Sequence, residues 1–156
     1  MTAKVQIGKK VPAFSLPATG DKTIGLKDLL GQKVVLYFYP KDSTPGCTLE
    51  GQDFRDNYQK LRRQKTIVLG VSRDSVKSHE NFRAKQEFPF DLLSDTDEKL
   101  CSIFDVMKQK NMYGRKVIGI ERSTFMLDAK GVLRREWRKV KVKGHVLEVL
   151  NAVKDL

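Results

Sequence analysis

The stretch that most constrains this chain is Val34-Val35-Leu36-Tyr37-Phe38-Tyr39, followed at once by Pro40-Lys41-Asp42-Ser43-Thr44-Pro45-Gly46-Cys47. An unbroken apolar run of β-branched and aromatic residues offers no polar face to water, so it reads as a strand buried on both sides. Pro40 ends the strand because proline has no N–H to give to a ladder. Asp42 to Gly46 is turn chemistry. Beyond Cys47, Phe54, Tyr58 and Leu61 recur at i, i+4 and i+7, which predicts a helix over about 46–63. Cys47 therefore falls in the first turn of a helix that starts beside the end of a buried strand.

That placement has chemical consequences. The first turn of a helix carries unpaired N–H groups and the positive end of the macrodipole, and both favour thiolate over thiol. An ordinary cysteine with a pKa of about 8.5 is only ~3% ionised at pH 7, whereas one lowered to ~6 is ~90% ionised. The gain is ~30-fold in nucleophile, or about 2 kcal/mol. A fast reaction needs more than this, so a further group is expected to stabilise whatever leaves when the sulfur attacks.

The remainder reads as alternating strands and helices. Ala13-Phe14-Ser15-Leu16 and Thr23-Ile24-Gly25-Leu26 form a candidate hairpin around Gly20-Asp21, and Lys27 to Gly31 forms one helical turn closed by glycine. Thr66 to Ser72 is a second buried strand. Asp74 or Ser75 caps a helix to about 86 that carries Val76 and Phe82, and Pro89 stops it. Asp91-Leu92-Leu93 is a short strand, and Asp95 or Thr96 caps a helix with Leu100, Ile103 and Phe104 as its inner stripe. The basic segment Met107 to Lys116 reads as a loop. Ser123 to Asp128 and Val132 to Trp137 are strands joined through Ala129-Lys130-Gly131, and Gly144 to Leu156 is a closing helix with Val146, Leu147, Val149, Leu150 and Val153 inward. The alternation implies an α/β fold with a central mixed sheet flanked by helices.

Composition removes several classes of function. The 156 residues, 40% hydrophobic and 31% charged, suit one soluble globular domain spanning 1–156. No apolar run approaches the ~20 residues that span a bilayer. The segment Met1 to Gly8 lacks the apolar core of a signal peptide, so a cytoplasmic location is expected. The two cysteines, Cys47 and Cys101, are too few for a disulfide framework, and with only His79 and His145 beside them no metal-ligand spacing emerges. The net charge of +11, concentrated in Arg134 to Lys143, raises nucleic acid or an anionic membrane as partners. No nucleic-acid-binding signature accompanies it, and a solvated strand face is the expectation.

Pro40, Thr44 and Cys47 match the Pro-x-x-x-Thr-x-x-Cys signature of the peroxiredoxins, and Cys47-Thr48-Leu49-Glu50 resembles the Cys-Thr-x-Glu of their bacterioferritin comigratory, or Q-type, branch. The resemblance runs from Gly8-Lys9-Lys10-Val11-Pro12-Ala13-Phe14 to the last helix. It implies a thioredoxin-like fold with an N-terminal β-hairpin extension, and a thiol peroxidase of antioxidant defence that reduces hydrogen peroxide and organic hydroperoxides without metal, haem or flavin. It also implies that the Thr44 hydroxyl, the Cys47 N–H and Arg122 stabilise the departing oxygen, and that Pro40 shields the sulfur. Glu50 is either a helper of the arginine or a solvated surface residue. Tyr39 either lines the site or packs in the core, and Arg115 is the rival to Arg122.

Attack leaves Cys47 as a sulfenic acid. Many Q-type proteins carry a resolving cysteine five residues on, where this chain has Gln52, and others carry it in the following helix, which here has none. The expectation is therefore a one-cysteine cycle, completed by thioredoxin, glutaredoxin or a small thiol, in a monomer or weak dimer. Cys101 as a resolving partner is the alternative cycle, with a small buried hydrophobe as its other reading. Two further alternatives are a thiol–disulfide oxidoreductase, which the lack of Cys-x-x-Cys disfavours, and a basic nucleic-acid-associated protein on the same fold.

Overall fold

The structure is a computed structural model and describes residues 4–156. Met1 to Ala3, the start of the segment read above for a signal peptide, lie outside the described residues. The chain opens with β1 (Ser15–Ala18) and β2 (Lys22–Gly25), an antiparallel hairpin, then α1 (Leu26–Leu29) and the central strand β3 (Lys33–Phe38). The helix α2 (Pro45–Arg63) leads to β4 (Thr66–Ser72), α3 (Val76–Gln86), β5 (Leu92–Ser94) and α4 (Lys99–Ile103). A second hairpin, β6 (Met107–Met112) and β7 (Arg115–Ile120), precedes β8 (Ser123–Leu127), β9 (Leu133–Trp137) and α5 (His145–Val153).

Seven strands form one mixed sheet in the order β2-β1-β5-β4-β3-β8-β9. β3 pairs parallel with β4 and antiparallel with β8, so it has a strand on either side and a layer on either face. Its alternate side chains supply two separate cores. Val35, Tyr37 and Tyr39 pack with α2, α3 and α5 through Phe54, Leu61, Phe82 and Val149. Val34, Leu36 and Phe38 pack on the other face with Leu100, Ile103 and Phe104 around α4. Burial on both faces is why the run carries no polar alternation. It also separates the cysteines, with Cys47 in the first core and Cys101 in the second, across the sheet.

The segment expected to be a loop over 107–116 is instead a hairpin. β6 and β7 pair antiparallel as a sheet of their own, turning at Tyr113 and Gly114 with φ of 52° and 78°. Positive φ at both central residues is the two-residue turn that matches strand twist. The hairpin hides from sequence reading because most of it faces solvent: Met112, Tyr113 and Ile118 are all exposed, and of its strands only Ile120, at the base, is buried. Two helix readings also change. Leu147 is 56% exposed, because Val146, Val149, Leu150 and Val153 already fill the inner i, i+3, i+4, i+7 stripe of α5. On α3 the buried positions are His79 and Phe82, with Val76 only half-buried.

The expected cap of α4 acts from one turn away. Asp95 accepts the N–H groups of Leu100 and Cys101 at 3.1 and 2.7 Å, although the helix starts at Lys99. The basic run does face solvent at Arg134 and Arg135, but Arg138 turns back and donates to the carbonyls of Phe104 and Asp105, both at 2.9 Å. No helix among the described residues is long and apolar enough to cross a membrane.

Candidate active site

The site forms where β3 ends and α2 begins. Thr44 is the residue before the helix, Pro45 its first residue and Cys47 its third, so the sulfur sits among the unpaired N–H groups of the first turn. Cys47 is 1% exposed. Arg122, between β7 and β8, extends over it: Nη2 lies 3.4 Å from Cys47 Sγ and Nη1 lies 2.6 Å from Glu50 Oε1. One planar fork thus holds the sulfur and a carboxylate together. The approach depends on Gly46, where a Cβ would stand 3.1 Å from Arg122 Nη2.

Glu50 is not a surface residue. It is 0% exposed, on the α2 face shared by Cys47 and Phe54, and its second oxygen has no protein partner among the described residues. Burial pushes its carboxyl up to about 7, and the pull of Arg122 offsets only part of this. For Arg122 burial works against the charge, but Glu50 and Cys47 outweigh it and its pKa is raised. Below about 4.5 the Glu50 proton is present in both folded and unfolded chains; as pH rises through about 7 the folded state must give up a proton it holds more tightly, and stability is lost. Glu50→Gln is therefore expected to match the parent in unfolding experiments near pH 4.5 and to exceed it at pH 8 by up to about 3 kcal/mol. A gap that does not widen between these pH values would show that Glu50 folds already ionised.

The other expected residues are placed as follows. The Thr44 hydroxyl donates to the Lys41 carbonyl at 2.8 Å, so it is part of the turn and its hydrogen is engaged there, which leaves its oxygen free to accept. Pro40 is half-buried at the strand end. Tyr39 is fully buried and its hydroxyl donates to Asp42 Oδ1 at 2.6 Å, so its reach is to the turn rather than to the sulfur. Arg115 is exposed on the hairpin. Cys101 is fully buried, and burial followed by the nearby Asp95 carboxylate pushes its thiol strongly upward, which is the behaviour of an inert core residue.

Gly46 and Tyr37 were not foreseen at the site, nor was the buried contact of Asp42 with His79 in the turn before α2, at 2.7 Å. Tyr37 is buried beside the site, and its hydroxyl has no hydrogen-bond partner among the described residues. Only Gly46 carried a signal, since a glycine one residue before a first-turn cysteine invites a close approach from another chain segment.

Comparison with known proteins places this geometry in a family. Residues 7–136 match the model of the AhpC/TSA family. The chain is 47% identical over 152 residues to Peroxiredoxin Bcp of Bacillus subtilis, covering 97% of each, and 55% identical over 143 residues to Peroxiredoxin Bcp of Xanthomonas campestris, covering 90% of this chain and 89% of that one. Among solved structures, a cysteine-to-serine variant of PrxQ from Xylella fastidiosa superposes with a TM-score of 0.92 at 46% identity over 98% of each chain. A Xanthomonas campestris bacterioferritin comigratory protein, studied for its alkyl peroxide reduction activity, superposes at 0.87 with 54% identity over 91% of this chain and 90% of that one. With a sulfur under an arginine at the head of α2, and with relatives this similar along their whole length, the chain belongs to the AhpC/TSA family and is a thiol-dependent peroxidase of its Bcp, or Q-type, peroxiredoxins.

Proposed function

We propose that Cys47 is the peroxidatic nucleophile of a one-cysteine cycle acting on hydrogen peroxide and small alkyl hydroperoxides, and that Arg122, the Cys47 N–H and the Thr44 oxygen organise the reacting oxygens. The observation that carries this reading is the 3.4 Å contact of Arg122 with Cys47 Sγ, made by a guanidinium that Glu50 holds in place. The thiolate attacks one peroxide oxygen, a S–O bond forms and the O–O bond breaks. The departing hydroxide or alkoxide takes its charge toward Arg122 and is protonated by water. Cys47 is left as a sulfenic acid. One external thiol then displaces water to give a mixed disulfide, and a second thiol releases Cys47 and leaves with the first as a disulfide.

Two observations support an external reductant. Cys101 is across the central sheet from Cys47, and a disulfide needs Cα atoms within about 7 Å. The seam between α2 and α3 is occupied by amides: Gln52 Nε2 donates to Gln86 Oε1 at 2.9 Å and Arg55 donates to the Gln86 carbonyl at 2.9 Å.

Intact mass after one equivalent of peroxide, with no reductant present, tests the cycle. A gain of one oxygen is expected, and Cys101→Ser should keep most of the thiol-supported turnover. A loss of two hydrogens, with turnover falling in Cys101→Ser, would establish the two-cysteine cycle instead.

A further inference from the structure

The β6–β7 hairpin brings further cations to the side of the site. Arg73 directly follows β4, Lys110 lies on β6, and Gly119 lies on β7 shortly before Arg122. A Cβ at Gly119 would stand 3.9 Å from Arg73 Nη2 and 3.8 Å from Lys110 Cδ, so two cationic side chains flank one bare stretch of backbone. Lys110 Nζ donates to the carbonyl of Ile120, just ahead of Arg122. Its charge is within range of both the arginine and the sulfur. Burial lowers the Lys110 pKa, Arg122 and Arg73 add to this, and Glu121 and Cys47 offset only part of it.

These cations have little anionic company. Arg73 meets Glu98 through Nη1 at 3.3 Å, a contact between two partly exposed side chains. Its Nε is buried and has no hydrogen-bond partner among the described residues. Lys110 spends a hydrogen bond on a carbonyl rather than on an acid. Glu50, the carboxylate beside the sulfur, is already held by Arg122. Like charges this close repel, and an anion between them relieves the repulsion. A guanidinium fork with an ammonium beside it suits a carboxylate. The sulfur next to them is reduced, the state that meets the peroxide.

We propose that Arg73 and Lys110 form a carboxylate subsite beside the catalytic centre, and that the chain prefers organic hydroperoxides bearing a carboxylate, whose acid end rests on these two residues while the peroxide end lies under Arg122. The bond changes at Cys47 are those given above, so the subsite adds affinity and orientation rather than new chemistry. This inference rests on the reading of Cys47 and Arg122 proposed above and names its substrate class.

The probes are γ-hydroperoxyisocaproic acid and its methyl ester, which share one tertiary peroxide and differ by one charge. The second-order rate of Cys47 oxidation is measured with each by rapid quenching and intact mass. The quantity compared is the acid-to-ester ratio, from which any general loss of activity cancels. At low salt the parent is expected to favour the acid by roughly 10-fold, with high salt, Lys110→Gln or Arg73→Gln each bringing the ratio toward one. Gly119→Asp sets a carboxylate between the two cations, where added atoms meet only ordinary contacts, and is expected to erase the preference while both charges remain. It also serves if Arg73→Gln does not fold. Arg134→Gln, which removes an exposed cation near the start of β9, should keep the ratio. A parent ratio near one, a ratio unmoved in Lys110→Gln and Gly119→Asp, or one lowered equally by Arg134→Gln overturns the proposal. So does a preference found only in reduction of the sulfenic acid, with thioglycolate against its methyl ester, which would put the carboxylate on the reductant. Absence of an oxygen adduct with either hydroperoxide is the separate failure of Cys47 as nucleophile.

Discussion

Cys47→Ser is expected to abolish peroxide reduction, with a loss on the order of 10⁶ if replacement of catalytic nucleophiles elsewhere is a guide. The substitution exchanges sulfur for oxygen in a site that is 1% exposed, so packing in the core of Phe54, Tyr37 and Val146 changes little. What changes is the nucleophile. A serine hydroxyl stays protonated at neutral pH, and neither a helix N-terminus nor one guanidinium closes the gap to an alkoxide. The peroxide would therefore meet the same donors with nothing to attack it. Peroxide consumption under excess thiol, with the melting curve recorded alongside, checks this. A folded Cys47→Ser protein that retained even a few per cent of turnover would move the chemistry to Cys101, across the sheet, and would break the argument built on Arg122.

How far the sequence disclosed this site depends on the kind of signal each residue leaves. β3 and α2 were legible because burial on two faces and burial on one face imprint different periods, and Cys47 falls where one gives way to the other. Arg122 has no periodic mark and came only from the family resemblance of its flanks. Glu50 stands on the same α2 stripe as Cys47, Phe54 and Leu61, so its burial was implicit in the spacing, but a carboxylate on an inner stripe reads as an exception until its partner is found. Asp42 and His79 are 37 positions apart and joined by a polar contact, which no local pattern encodes. The β6–β7 hairpin was missed for a different reason: with Ile120 the one buried residue of its strands, it lacks the alternation by which strands are recognised, and the left-handed turn is opened by Tyr113 rather than by the expected Asn, Asp or Gly.

The second large effect is expected at Arg122, and it separates catalysis from stability. Arg122→Ala removes the donor facing the sulfur and the partner of a fully buried carboxylate in one step. Loss of one preorganised donor to a developing oxyanion costs roughly 10²–10³ in rate, and that is the expected fall in the second-order rate of Cys47 oxidation. Arg122→Lys should rescue little of it, because a single ammonium cannot hold Cys47 and Glu50 in the fixed fork the guanidinium provides. Stability falls as well, since Glu50 is left without its counter-ion. Adding Glu50→Gln to Arg122→Ala is then expected to restore much of the melting temperature while leaving oxidation as slow as before. If the double variant recovered both, the arginine would be a scaffold for Glu50 alone. If Arg122→Ala slowed oxidation only a few-fold, the helix terminus by itself would have to account for the departing oxygen, and the donor role of the arginine would fall.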